Sequence, residues 1–395
     1  MSTTKRSLAL AITLALGTSA AMASEYRTVD RPIPGKYIVV LKEDALQGPG
    51  RSGQAPGMEK AVENAAVDLA ARFSLNVERV YGNALPGFAV SASPKAIERL
   101  LRDPRVAYVE EDGYVELSAT QSNATWGLDR VDQRDLPLNG SYVYNYLGTY
   151  VRAYVIDSGI RASHQDFGGR VLAGATAIND GRGTDDCNGH GTHVAGTIGG
   201  ATWGIAKGVR LVPVRVFGCT GGSSNSTIIS GIDWVTKNHV KPAVANMSLG
   251  GPASTSIDDA TKNLNNAGVT VVVAAGNDNA DACNYSPARV SVAITVGSTT
   301  SSDYRSSFSN YGSCVNIFAP GSSIKSAWIT SDTSTNTISG TSMAAPHVAG
   351  AAVLVLAADN SLSPSSVRSA IYNKATTGRL YSIGSGSPNR LLYSR

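Results

Sequence analysis

The sequence predicts an α/β fold, a mostly parallel sheet with helices on both faces, preceded by a small α+β domain of ferredoxin-like order. Three observations carry this. From Val151 onward, near-continuous apolar runs alternate with helical runs, and strands apolar on both faces need cover on both. Between Lys36 and Glu110 the order instead reads β-α-β-β-α-β, the split βαβ unit. The composition suits both: 42% of the 395 residues are hydrophobic, 16% are charged and 41 are glycine, as in a compact, loop-rich chain.

The first residues read as an export signal. Lys5 and Arg6 form a positive start, Leu8 to Leu16 an apolar stretch, and Ala21-Met22-Ala23 a small-x-small cleavage site. The apolar stretch is too short to span a bilayer, so residues 1–23 are expected to be removed during Sec-type export, leaving a secreted protein. No later uninterrupted apolar run reaches the length of a span, so no membrane association is expected. Residues 24 to about 35 read as a polar linker.

The small domain follows, with a folded core over 36–118 inside a 24–118 segment. Its strands are Tyr37–Leu41, Arg79–Tyr81, Gly87–Val90 and Val106–Glu110; its helices are Glu59–Phe73 and Pro94–Leu101. At about 80 residues it is marginal by itself. An acidic, extended tail from Glu110 to Ser118 ends it. From Ala119 to Arg395 the larger domain has strands at Val151–Ile156, Leu211–Val216, Val244–Met247, Val269–Ala274 and Val292–Val296. Helices are expected at Gly191–Gly199, Ser226–Asn238, Ser256–Ala267 and Ser363–Asn373, and a short last strand at Arg390–Tyr393. In such sheets the site lies beyond the carboxyl ends of the strands. A net charge of +4 with no basic stripe gives no reason to expect nucleic acid, and a monomer is expected.

Three stretches carry chemistry. Ser339 to Gly350 sets Ser342 among small residues at the start of an apolar segment running to about Ala358. Gly340 is read as permitting a tight bend, and Pro346 as tolerable in a first helical turn. A core helix with a serine cap would explain this stretch taken by itself. Asp157 ends the apolar run Val151–Ile156, where a turn or cap aspartate is the plain alternative. His190 lies between glycines in Asn188-Gly189-His190-Gly191-Thr192-His193. Zinc held with His193 is the alternative there, a weak one without an acid on the same helix. Together, Asp157, His190 and Ser342 in chain order, each at an element end, satisfy the parts list for acyl transfer. A hydroxyl is a poor nucleophile until an imidazole takes its proton, and the imidazole needs a carboxylate to hold its tautomer. The order Asp, His, Ser is that of subtilisin. The context Gly340-Thr341-Ser342-Met343-Ala344 lacks the G-x-S-x-G elbow of an esterase.

Asp157-Ser158-Gly159, Asn188 to His193 and Gly340 to His347 resemble the signatures of the subtilase family. Trp126 to Gln133, Asn246 to Gly251 and Ser385 to Tyr393 are similar to its proteinase K subfamily, in the aqualysin-like branch. Residues 36–118 resemble the inhibitory propeptide of the same family, of the I9 type. The resemblance implies a secreted serine endopeptidase, made as a self-processing precursor and acting through an acyl-enzyme. It implies Ser342 as nucleophile, His190 as general acid–base, Asp157 as its carboxylate, and Asn277 with the Ser342 N–H as oxyanion donors. His193 and His347 then have local structural roles. An extended substrate would lie between Gly221-Gly222-Ser223 and Ser248-Leu249-Gly250, by strand addition. Ala274, Ala275 and Gly276 would wall the S1 pocket, and these uncharged segments predict broad tolerance with apolar or aromatic P1 residues.

Four cysteines allow three pairings, and their spacing is not that of a zinc site. The resemblance implies Cys187–Cys219 and Cys283–Cys314, each closing a loop of about 31 residues worth ~3 kcal/mol by chain entropy. The chemistry needs no cofactor, but structural calcium is expected. Asp129, Asp132 and Gln133, with Asn139 nearby, offer hard oxygens on one loop, and Asp180, Asp185 and Asp186 form a second candidate. Asn316 stands where relatives carry a calcium-binding aspartate. The propeptide would act as inhibitor, with Val115–Ser118 in the cleft as product and cleavage between Ser118 and Ala119. A catalytically silent peptide-binding or inhibitory relative is the alternative, and the complete set Asp157, His190, Asn277 and Ser342 argues against it.

Overall fold

The computed structural model describes residues 24–29, 32–46, 57–113 and 119–395. The expected export signal, and the tail from Tyr114 to Ser118 with its cleavage point, lie outside the described residues. The chain divides into two compact units, Met1–Glu116 and Leu117–Arg395.

In the first unit β1 (Glu25–Arg27), β2 (Pro32–Leu41), α1 (Glu43–Leu46), α2 (Met58–Phe73), β3 (Asn76–Tyr81), β4 (Gly87–Ser91), α3 (Pro94–Leu100) and β5 (Val106–Gly113) follow in order. The sheet order is β1-β5-β2-β4-β3, the expected split arrangement with one strand added. Val62, Ala65, Ala66 and Leu69 fall on one stripe of α2 and are buried there. They pack with Val39, Leu41, Phe88, Leu100 and Val109. Ser93 caps α3 by accepting from the Ala96 N–H, with Pro94 in the first turn. The polar linker expected at the start is a correction: Glu25–Arg27 pairs in parallel with β5. No apolar pattern announces it because the edge is held by backbone pairing and by Arg27 lying 3.8 Å over the Tyr108 ring.

The second unit opens with β6 (Ala119–Ser122), α4 (Trp126–Val131), β7 (Ser141–Tyr144), β8 (Arg152–Asp157), β9 (Ala175–Thr176), α5 (His190–Gly199) and β10 (Arg210–Arg215). It continues with α6 (Asn225–Asn238), β11 (Ala243–Met247), β12 (Gly251–Pro252), α7 (Thr255–Asn266), β13 (Thr270–Ala274), β14 (Tyr285–Ser286) and β15 (Ile294–Thr299). Last come β16 (Ile317–Pro320), the β17 (Ile324–Ala327) and β18 (Thr335–Ile338) hairpin, α8 (Thr341–Ala358), α9 (Pro364–Lys374), β19 (Thr376–Thr377) and β20 (Arg390–Leu391). The main sheet runs β19-β20-β16-β15-β13-β11-β8-β10-β9 and is parallel except for the antiparallel β19 edge. All five expected apolar runs are in it. β16 joins them unannounced, because four residues ending in Pro320 carry too little pattern to distinguish a strand from a loop.

Two cores flank the sheet. One joins it to α5, α8 and α9, the other to α6 and α7. α8 has a mean hydropathy of 1.6 over 18 residues, apolar and long enough to cross a membrane. Most of it is buried among the strands, α5 and α9, so an all-round apolar helix here is a core helix. Two readings of its start need correction. Pro346 is the sixth residue of α8, beyond the first turn. Gly340 is extended, and an added Cβ would find only ordinary contacts, so neither bend nor close approach requires glycine there.

Candidate active site

The carboxyl ends of the central strands deliver the site. Asp157 is the last residue of β8, Ser248 follows β11, and Ala275-Gly276-Asn277 follow β13. Asp157 is 1% exposed. Its Oδ1 accepts from His190 Nδ1 at 2.7 Å and from the Ser158 N–H at 2.8 Å; its Oδ2 is buried and has no hydrogen-bond partner among the described residues. Nδ1 therefore carries a proton, which leaves Nε2 of the neutral ring as an acceptor. Burial of the His190 ring lowers its pKa, but the Asp157 charge and hydrogen bond, joined by the Asp186 charge, outweigh it. The net direction is upward from the ordinary value of 6.5.

His190 is the first residue of α5 and stays partly open, with 30% of its side chain exposed. The helix start is pressed against the end of β8. A Cβ on Gly191 would come within 2.2 Å of the Gly159 carbonyl, so only glycine allows that approach.

Asp186 organises this turn, a role the sequence does not reveal. Its Oδ1 accepts from Ser158 Oγ, the Asn188 N–H and the Gly189 N–H, each at 2.9 Å. Its Oδ2 accepts from the Thr192 N–H at 2.9 Å and Thr192 Oγ1 at 2.7 Å. Five donors on one buried carboxylate anchor the start of α5 and stitch it to the strand bearing Asp157. An aspartate preceding a helix start is the available signal, and the metal expectation for Asp186 passes over it.

Ser342 is the second residue of α8 and partly exposed. Its Oγ donates to the Ser248 carbonyl at 3.1 Å, and among the described residues no hydrogen bond joins it to His190. Catalytic hydrogen bonds are commonly loose before substrate arrives. Asn277 is oriented by Thr341, whose N–H and Oγ1 both donate to its Oδ1, at 2.8 and 3.0 Å. That fixes the amide so that Nδ2 is the free end. Thr341, which the sequence motif contains without a role of its own, is thus what aims it.

Leu249, Gly250, Ala274, Ala275, Gly276, Asn277 and Ser342 line one cavity of about 410 Å3. Asp278 and Tyr285, outside the segments expected to hold substrate, also border it, so a carboxylate stands at its rim. Gly221, Gly222 and Ser223 lie on an exposed loop, where Ser223 Oγ donates to the Val216 carbonyl. His193 and His347 are buried. His193 Nε2 donates to the Ile324 carbonyl at 3.0 Å and His347 Nδ1 to the Met343 carbonyl at 2.8 Å. Burial, foremost among the causes, pushes both rings down to about 4, so they stay neutral and structural.

The resemblance between residues 151–390 and a family model settles the lineage: they match the one described as the subtilase family, and residues 36–118 match the one described as peptidase inhibitor I9. The chain belongs to the subtilase family. It is a serine endopeptidase with a propeptide of the I9 type. This subtilase is 57% identical to an extracellular serine proteinase of Thermus sp. (strain Rt41A), over 92% of the chain and 90% of that protein. It is 49% identical to alkaline serine exoprotease A of Vibrio alginolyticus, over 92% of the chain and 68% of that protein. The crystal structure of a cold adapted subtilisin-like serine proteinase superposes with a TM-score of 0.68 at 54% identity, covering 69% of this chain and 99% of that one.

The subtilase pairs Cys187 with Cys219 and Cys283 with Cys314. The first bridge adjoins Asp186 and so steadies the turn that carries His190. Of the metal candidates, the first loop fits a hard cation. Asp132 Oδ1 and Gln133 Oε1 are buried oxygens with no hydrogen-bond partner among the described residues. Asp129 meanwhile accepts from the Asn139 and Gly140 N–H groups, which ties the two ends of the loop together. The second candidate does not assemble, a correction. Both Asp180 oxygens are taken by Arg215, at 2.7 and 2.6 Å, Asp186 is saturated, and Asp185 is left exposed without them. At Asn316 the amide oxygen accepts from the Thr295 N–H at 2.9 Å and closes a strand instead.

Proposed function

We propose that this subtilase is secreted, frees itself from its propeptide, and hydrolyses internal peptide bonds through an acyl-enzyme on Ser342. What supports the reading most is the 2.7 Å His190–Asp157 hydrogen bond, together with an Asn277 amide that is oriented by Thr341 and lines the same cavity as Ser342. On substrate binding, Ser342 Oγ turns from the Ser248 carbonyl to His190 Nε2, gives up its proton and attacks the scissile carbonyl carbon. The negative charge moves to the carbonyl oxygen, facing Asn277 Nδ2 and the Ser342 N–H, one of the unpaired donors of the α8 first turn. His190 then returns the proton to the leaving amine, and water reverses the steps to free the acid.

The extended substrate lies between Gly221-Gly222-Ser223 and Ser248-Leu249-Gly250, with its P1 side chain against Ala274, Ala275 and Gly276. The small walls favour an apolar or aromatic P1 residue. Cleavage-site profiling on a peptide library tests this: a dominant charged P1 preference, or no hydrolysis, sinks the reading. Asn277→Leu keeps the volume and removes the donor, so kcat should fall about 10²–10³-fold, the loss measured in subtilisin, with KM little changed. Steady-state kinetics on a chromogenic peptide checks it.

Asp129, Asp132 and Gln133, with Asn139, would hold a calcium ion that locks their loop and takes no part in the chemistry. Calcium at 100 times its Kd stabilises by about 2.7 kcal/mol, and each kcal/mol moves Tm by ~2–4 °C in a domain of this class. A chelator should therefore lower Tm by at least roughly 5 °C, and Asp132→Asn should abolish that calcium-dependent increment. Equal melting with and without chelator in the unsubstituted protein removes calcium from the account.

A further inference from the structure

We infer that the Ser248 side chain is a positioning residue for the nucleophile, holding the Ser342 carbonyl that Pro346 leaves without a helical partner. In an α-helix the N–H of residue i+4 closes on the carbonyl of residue i. For Ser342 that residue is Pro346, which has no N–H to give. A proline this far inside a helix is costly, because it removes a helical hydrogen bond and its ring crowds the preceding turn. Here its effect is local: one carbonyl, that of the proposed nucleophile, is released from its own helix.

Ser248 takes it up. Its Oγ donates to the Ser342 carbonyl at 2.8 Å. The direction is fixed by a third residue. Asn246 Nδ2 donates to the same Oγ at 2.9 Å, so the single hydroxyl proton is directed to Ser342. Asn246 and Ser248 are 1% and 4% exposed, so water does not compete for the bond. Asn246 lies near the end of β11, in the middle of the main sheet, and Ser248 follows directly on that end. The first turn of α8 is thereby referenced to the sheet that also carries Asp157.

Ser342 answers with its own Oγ, which donates to the Ser248 carbonyl at 3.1 Å. The two serines thus close a ring of opposed hydrogen bonds. During turnover the Ser342 hydroxyl leaves that ring for His190. The bond from Ser248 Oγ remains and holds the backbone from which the nucleophile swings.

The inference rests on Ser342 being the nucleophile, and the test separates the two. The full chain, processed and purified, is treated with a fluorophosphonate, and the labelled residue is located by peptide mass mapping. A label elsewhere than Ser342 overturns the functional reading itself. With the label on Ser342, phosphonylation rates and steady-state constants are compared for Ser248→Ala, Pro346→Ala and the double variant. Ser248→Ala should lower the phosphonylation rate and kcat about 30-fold, less than the ~10²-fold of a full 1 Å misplacement, with KM within about two-fold. Pro346→Ala restores an N–H that competes for the Ser342 carbonyl and should cost about 10-fold. In the double variant that restored N–H has the carbonyl to itself, so it should be no slower than the slower single variant. Independent roles would multiply to about 300-fold, and that result overturns the inference. So does a wild-type rate in Pro346→Ala, a change that adds a helix-favouring residue and keeps the test open even where Ser248→Ala folds poorly.

Discussion

Ser342→Ala should abolish hydrolysis of added peptides and self-cleavage together, leaving a precursor that retains its propeptide. In subtilisin, loss of the nucleophile costs about 2 × 10⁶ in kcat, and the remainder comes from binding and the oxyanion donors. The same order is expected here because the variant leaves those parts in place. Asn277 stays aimed by Thr341, and the 2.7 Å His190–Asp157 bond does not involve residue 342. Alanine also suits the second position of a helix whose neighbours are already Ala344 and Ala345, so folding should survive. The loss is then chemical, which an unchanged Tm and circular dichroism spectrum would establish. N-terminal sequencing supplies the decisive reading. A processed end at Ala119 in the purified variant would show that another protease makes the cut, and self-processing would fall.

That experiment touches the part of the molecule most legible in the amino-acid order. Asp157, His190 and Ser342 each sit at an element boundary, and each boundary is marked by a composition change that a single chain displays. Asp157 ends an apolar run, His190 stands between glycines, and Ser342 opens a stretch of alanines. The strands are legible for the same reason: burial on both faces leaves unbroken Val, Ile and Ala. What stays hidden depends on contacts between distant residues. Ser248 and Ser342 are 94 positions apart, and Asn277 and Thr341 are 64 apart. No local period encodes such a pair.

The misreadings share a cause. Asp186 groups with Asp180 and Asp185 in the sequence because three carboxylates in one loop look like a cation site. Five donors supplied by Ser158, Asn188, Gly189 and Thr192, one of them a backbone N–H of the first turn of α5, make it the anchor of the helix start instead. Pro346 reads as a first-turn residue because that is where proline is cheap. The helix in fact begins at Thr341, and the cost is accepted where it frees the Ser342 carbonyl. In both cases the sequence suggests the commonest use of a residue type, and the fold puts it to a rarer one that concerns the site.

Asp157→Asn should lower kcat by roughly 10⁴-fold and move the acid limb of the pH profile downward. The amide has two ways to lie, and both lose. With its oxygen facing His190 Nδ1 and the Ser158 N–H, it keeps the two hydrogen bonds now made at 2.7 and 2.8 Å. The NH2 then occupies the buried Oδ2 place, which has no partner among the described residues, at a cost of about 1–3 kcal/mol. Turned round, the NH2 faces the Ser158 N–H donor to donor and drives His190 to the tautomer that cannot take the Ser342 proton. In either orientation the carboxylate charge that stabilises the imidazolium is gone. The sign on pH follows from the same contacts. His190 acts as a base only when neutral, so in the unsubstituted enzyme kcat/KM rises with pH through a value raised above 6.5. Burial works to lower that value, and the Asp157 charge and hydrogen bond do most to raise it. With asparagine at this position the lowering cause persists and of the raising causes the Asp186 charge is left, so the limb should appear at lower pH. A kcat/KM profile of the variant separates charge from geometry. A rate loss of the expected size with an unmoved acid limb would mean that Asp157 merely holds the ring in place, and that its charge has no part in setting when His190 accepts a proton.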